Sequence, residues 1–135
     1  EDPLYGVSHS APALMRAQQI GQKAAKVGFD WPDINGALAK VDEERQELRE
    51  ALELGDPDAI EHELGDLLLA LSSVARHADV DPELALTRAL RRFRGRFRSV
   101  GQNLREQPDA DLATMERWWQ QAKTKRVEQD RGQDA

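Results

Sequence analysis

Two long segments in which apolar residues recur every three or four positions, joined only by "GDPD" (Gly55 to Asp58), constrain this chain most. That spacing belongs to helices that each bury one face, and a glycine followed by Asp-Pro stops one helix and starts the next. The two helices must then lie side by side and antiparallel. Elsewhere there is no sustained apolar/polar alternation and no Asn-Gly hairpin signal, so strands are not expected. The expected fold is all-α, an antiparallel helical bundle completed by dimerisation, because several amphipathic faces exceed what one short chain can cover.

Five helices are expected. Ser10 is the N-cap of the first, with Pro12 near its start; Leu14, Ala17, Ile20, Ala24 and Val27 form its stripe, and Gly28 ends it. "FDWPD" (Phe29 to Asp33) is an aromatic loop, since Pro32 pushes Trp31 away from helical angles. The second helix runs from about Ile34 to Leu54 and the third to about Ala78, where "DVDP" closes it. A fourth covers Pro82 to about Val100, a loop Gly101 to Pro108, and a fifth Asp111 to about Val127. One domain is expected over 1–127, followed by a polar, disordered tail over 128–135.

The chain has 135 residues and no cysteine, so disulfides, thiolate metal sites and cysteine nucleophiles are excluded. Its net charge of -6 disfavours a general nucleic-acid surface. No apolar run is long enough to span a membrane and the first residues, "EDPLYGVSHSAP", do not read as a signal peptide, so the cytoplasm is the expected location. The sequence does not begin with Met, which reads as a trimmed form or a piece of a longer protein.

At about 100° per residue, Ile34, Ala37, Leu38, Val41, Leu48 and Leu52 share one face of the second helix. Glu44 lies at the edge of that stripe, between Ala37 and Ala51, and Glu47 about 60° further round. The third helix repeats the plan: Ile60, Leu64, Leu67, Leu71, Val74, Ala75 and Ala78 form the stripe, Glu63 sits at its edge, and Asp66 lies about 60° beyond. In an antiparallel hairpin both displacements fall on the same side, so four carboxylates converge. Their repulsion raises pKa values and costs stability unless a cation sits among them. Oxygen donors favour a hard ion, Mg²⁺ first and Mn²⁺ second. An EF-hand loop is missing, and none of His9, His62 and His77 has a Glu three residues before it, as a ferritin-like di-iron site requires. The plain alternative is a solvated helix flank, with Glu50 and its neighbours paired to Arg45 and Arg49.

The ordered set "KVDEERQEL" then "ELGDLL" resembles the MazG family of all-α nucleoside triphosphate pyrophosphohydrolases, whose signature is E-x-x-E followed on the next helix by E-x-x-D. "PALMRAQQIGQKAAKVGFDW", "ARHADVDPELAL", "RRFRGRF" and "DLATMERWWQQAK" are similar to further segments of that family, and the opening looks most like the C-terminal half of two-domain members. The resemblance implies hydrolysis of a nucleoside triphosphate to the monophosphate and pyrophosphate, possible clearance of noncanonical nucleotides, and a homodimer. It implies Mg²⁺ held by Glu44, Glu47, Glu63 and Asp66, with Glu44 or Glu47 as general base. By the same resemblance Lys40 would reach a phosphate, Arg92 and Arg96 would clamp the polyphosphate, and Trp119 and Lys123 would line the nucleotide pocket, leaving Trp118 to the core. The chain departs from the family in having Arg92 for a usual Lys and Leu90 for a usual Asn, which bears on substrate choice and catalytic vigour.

Two other readings compete. One is a relative of narrower specificity, acting on deoxyuridine, deoxycytidine or phosphoribosyl-ATP substrates; the other is a non-catalytic helical interaction or regulatory module. "TRALRRFRGRFRSV" is dense in arginine, but Phe93 and Phe97 are spaced to pack inward, so a nucleic-acid partner is not expected. His62 and His77 are assigned no role, Asp30 and Trp31 belong either to the pocket or to a structural loop, and Ser8 and Ser10 lack the partners of a nucleophile.

Overall fold

The computed structural model describes the backbone of residues 1–133 and the side chains of residues 1–125. It contains α1 (Ala13–Lys26), α2 (Ile34–Leu54), α3 (Pro57–His77), α4 (Pro82–Glu106) and α5 (Leu112–Gln133). No strand occurs among the described residues, and the all-α expectation holds. The chain forms two compact units, one over Glu1–Ala85 and one from Leu86 onward, with α4 beginning in the first. The tail expected over 128–135 lies outside the described side chains, and α5 continues to Gln133, past the expected end near Val127.

The hairpin of the first unit is set by two adjacent caps. Gly55 takes the left-handed conformation (φ 68°) that an L side chain resists, and its N–H reaches the carbonyls of Ala51 and Leu52. Asp56 then caps α3 by accepting from the Asp58 N–H at 3.1 Å, and Pro57 occupies the first turn, where a missing N–H costs nothing. At the other end of α2, Asp33 accepts from the Asn35 N–H at 2.8 Å. α2 and α1 both pack on α3.

Two further boundaries differ from expectation for identifiable reasons. α1 is preceded by Pro12 rather than capped by Ser10, because the Ser8 hydroxyl accepts from the N–H groups of Ser10 and Ala11 and draws Ser10 into a turn. Its far end matches: Gly28 has φ 89°, and the Phe29 N–H reaches the Ala24 carbonyl at 3.0 Å. α4 runs through Gly101 to Glu106 instead of stopping near Val100. A glycine inside a helix costs only about 1 kcal/mol relative to alanine, too little to end one whose Val100 is buried at 2 % exposure.

The seam between α2 and α3 also differs. The buried residues of α2 are Ala37, Glu44 and Ala51, spaced seven apart, and those of α3 are Ala70 and Ser72. Leu38, Leu52, Leu64 and Leu71, expected in the buried stripes, are left exposed, while Leu48 and Leu67 are half-buried. Small side chains let the two backbones approach closely, and the edge positions of the sequence pattern therefore become its centre.

The α1–α2 loop is tied to the end of α3. Both oxygens of Asp30 accept from the Arg76 guanidinium at 2.7 Å, and His77 Nε2 lies 3.0 Å from the same carboxylate. Beside it, a Cβ added at Gly36 would stand 3.0 Å from Trp31 Cβ and 3.1 Å from its ring, so Trp31 rests on the first turn of α2. The Arg76 guanidinium, more than burial, His77 or the Trp31 N–H, decides the Asp30 titration and holds its carboxyl well below the usual carboxylate range. A carboxylate so depressed contributes stability that is present above its ordinary value and is lost as pH falls toward the folded value. Asp30→Ala is therefore expected to destabilise the first unit by about 2 kcal/mol at pH 7, measured by denaturant unfolding, with the difference from the parent shrinking below pH 4.

Candidate metal centre

Glu44 and Glu47 stand three residues apart on α2, as do Glu63 and Asp66 on α3. Neighbours three apart on a helix project to overlapping sides, so each helix offers a pair rather than isolated groups. Oxygens of Glu44, Glu47 and Glu63 lie within 4.8 Å of one another. Asp66 does not join that group; within the same distance it associates with Glu63 and His62, and its Oδ2 lies 3.2 Å from His62 Nε2. Of the four carboxylates expected to converge, three lie together and the fourth, Asp66, is joined to them through Glu63. The reason is angular: Asp66 lies further round α3 than Glu63 and meets its own helix neighbour, one turn back, first.

Burial and charge give the nest its character. Glu44 is only 4 % exposed, and its Oε1 receives the Lys40 ammonium at 3.0 Å, with Glu43 at 3.4 Å from the same nitrogen. Lys40, expected to reach a phosphate, is in this structure the countercharge of Glu44. That ammonium holds the Glu44 carboxyl low against the opposing effect of burial, and Glu44 raises the lysine in turn. Glu47 lacks such a partner. The facing Glu63 carboxyl, then desolvation and Glu44, push it up to about 7, which is the raised acid that crowding predicts.

The Oε2 atoms of both Glu44 and Glu63 are buried with no hydrogen-bond partner. Unsatisfied carboxylate oxygens are costly inside a protein. Two of them turned into one nest, together with Glu47 and offset by a single lysine, fit a small divalent cation whose preferred donors are oxygen.

The remaining expected site residues lie in the second unit. There Arg96 stands over the Trp119 ring, its guanidinium carbon 5.8 Å from the centroid, and Trp119 meets Phe93 at 5.0 Å with a 48° tilt. Arg96 Nε is buried without an acceptor. Arg92 and Lys123 are exposed. Trp118 and Trp119 are both half-buried, and Phe93 and Phe97 do not pack inward; they stack on each other at 5.8 Å while remaining largely exposed.

Residues 34–100 match the MazG nucleotide pyrophosphohydrolase domain, a stretch that contains the whole acidic nest. The chain belongs to the MazG family. A nucleoside triphosphate pyrophosphohydrolase of Escherichia coli strain K12 is 39% identical over 133 residues, covering 93% of this chain and 50% of the relative. The nucleoside triphosphate pyrophosphohydrolase/pyrophosphatase MazG of Thermotoga maritima is 37% identical over 116 residues, covering 83% of this chain and 44% of the relative. The MazG chain described here thus spans about half the length of the curated relatives it matches.

Two contacts were not assigned from the sequence. His62 engages Asp66, a pairing its four-residue separation made legible, and His77 engages Asp30, which only the tertiary fold reveals. Because Glu47 is protonated in the folded chain at pH values where an unfolded glutamate is ionised, the nest loses stability as pH rises from about 4.5 through about 7. With divalent ions chelated, Glu47→Gln is therefore expected to raise the thermal midpoint at pH 8 and to change it little at pH 5. Equal shifts at the two pH values would contradict this account.

Proposed function

We propose that this chain hydrolyses nucleoside triphosphates to nucleoside monophosphates and pyrophosphate at the Glu44, Glu47 and Glu63 nest, with Mg²⁺ as its cation and Asp66 completing the ligand set. The observation that carries the reading is the pair of buried, unpartnered oxygens on Glu44 and Glu63. Its biological use is the removal of noncanonical nucleotides. When bound, the cation supplies charge neutralisation for the phosphates and acidifies a water.

The protein groups have separable tasks. Glu44, already ion-paired with Lys40, serves as an anionic ligand. Glu47, which has no lysine beside it, is left to accept the proton of the attacking water. Lys40 brings positive charge to the same place and is suited to a phosphate oxygen once the nest is otherwise neutralised. Arg92 and Arg96, one turn apart on α4, would hold the polyphosphate, and Trp119 and Lys123 the nucleoside. The names of the Escherichia coli and Thermotoga maritima relatives support the reaction class.

A homodimer is part of the proposal. Leu38 and Leu52 on α2 and Leu64, Leu68 and Leu71 on α3 leave apolar surface in water that a second copy would cover. At micromolar concentration, sedimentation velocity is expected to give a dimer, and Leu64→Asp with Leu71→Asp to shift it to monomer; a monomeric parent chain would defeat this part.

The catalytic reading is tested by incubating the chain with canonical and modified nucleoside triphosphates, with and without Mg²⁺, and resolving products by chromatography. Monophosphate and pyrophosphate are expected, with Glu44→Ala or Glu63→Ala lowering turnover by about 100-fold or more. Turnover that survives either substitution would move the chemistry elsewhere. The relative rates across the panel separate a broad enzyme from one restricted to deoxyuridine, deoxycytidine or phosphoribosyl-ATP substrates.

A further inference from the structure

We propose that the exposed side of α4 in the second unit binds single-stranded nucleic acid, with the Phe93 and Phe97 rings stacking on bases and Arg94, Arg98 and Arg105 meeting phosphates. None of these residues takes part in the hydrolysis proposed above.

Between Glu83 and Glu106 the chain carries seven arginines and no acid, in a sequence whose net charge is -6. Positive charge is thus gathered on one helix. Because charges are screened over about 8 Å at physiological salt, a bound strand meets this local surface rather than the average of the chain. At about 100° per residue, Leu90, Phe97, Arg94, Arg98 and Arg105 share one side of α4, while Arg92 and Arg96 lie about 120° or more from those three arginines. Among the described residues none forms an ion pair with Arg94, Arg98 or Arg105.

The inward packing of Phe93 and Phe97 that counts against a nucleic-acid partner in the sequence does not occur. The two rings are 55 % and 44 % exposed and lie nearly parallel, with planes 8° apart and centroids at 5.8 Å. Trp119 of α5 backs Phe93 at 5.0 Å, so the pair is held from behind. Beside them, side chains from Leu90 to Arg105 line a trough of about 810 Å³. Flat apolar rings in water next to guanidinium groups suit a ligand that joins π faces to an anionic backbone, and bases are free to stack on them only when the strand is unpaired. With a rise of about 1.5 Å per residue, Arg94 and Arg98 stand about 6 Å apart along α4 and Arg98 and Arg105 about 10 Å, a span that fits a few nucleotides. An acidic protein segment would satisfy the arginines and leave the rings without a partner.

Fluorescence anisotropy of a labelled twelve-nucleotide oligothymidylate, with a 5′ hydroxyl so that it carries no triphosphate, tests this on the full chain over a series of salt concentrations. Binding is expected, weakening as salt rises, and weaker for a duplex of the same length. Arg94→Gln with Arg98→Gln should lower affinity by about tenfold or more and the slope of log K against log salt by about 1.4, with nucleoside triphosphate turnover and the thermal midpoint unchanged. Phe97→Ala should lower affinity by about tenfold at an unchanged slope. No binding by the parent, equal binding of strand and duplex, or affinity that survives both sets of substitutions would overturn the proposal. If the parent binds no strand and the arginine substitutions instead convert a dimer to monomer, the face belongs to a second copy and the proposal falls.

Discussion

The burial of Glu44 on the alanine seam is the constraint around which the first unit is arranged. A carboxylate that is 4 % exposed must be compensated, and here half of it is. One oxygen meets Lys40 on the preceding turn of the same helix, while the other is buried without a partner, and the carboxylate lies beside those of Glu47 and Glu63. Small residues on either side, Ala37 and Ala51, let α3 come close enough to present Glu63 there. A larger side chain at either position would separate the helices and disperse the nest. The stability forgone by crowding three acids is thus built into the same contact that holds the hairpin together.

Much of the fold was legible because its punctuation is chemical. Gly55, Asp56 and Pro57 specify a helix end, a cap and a first turn in three consecutive residues, and Gly28 acts as plainly. Ser10 and Gly101 misled because local preference is weak. A serine two residues upstream competed for the same turn, and one glycine could not outweigh a long amphipathic helix.

The candidate site was legible in part for a different reason. Spacing on a helical wheel gives direction but not depth, so it placed Glu44, Glu47 and Glu63 together and could not tell that alanines rather than leucines would form the seam. Nor could it separate Asp66 from the nest, since a shift of one side chain toward His62 is decided by local contact. The link from Asp30 to Arg76 and His77 joins residues more than forty positions apart, and no periodicity encodes such a pair.

The shortness of the α2–α3 turn has a geometric consequence. Glu47 stands eight residues before Gly55 and Glu63 seven after Asp56, while Glu44 and Asp66 stand eleven before and ten after. With a rise of about 1.5 Å per residue, the two arms are matched in length to within about one residue, so each acid finds an opposite number at the same height. The turn works as a ruler. One inserted residue between Gly55 and Pro57 would leave both helices intact yet shift the level of one arm against the other and dismantle the nest, which makes the length of this loop as much a part of the site as the carboxylates.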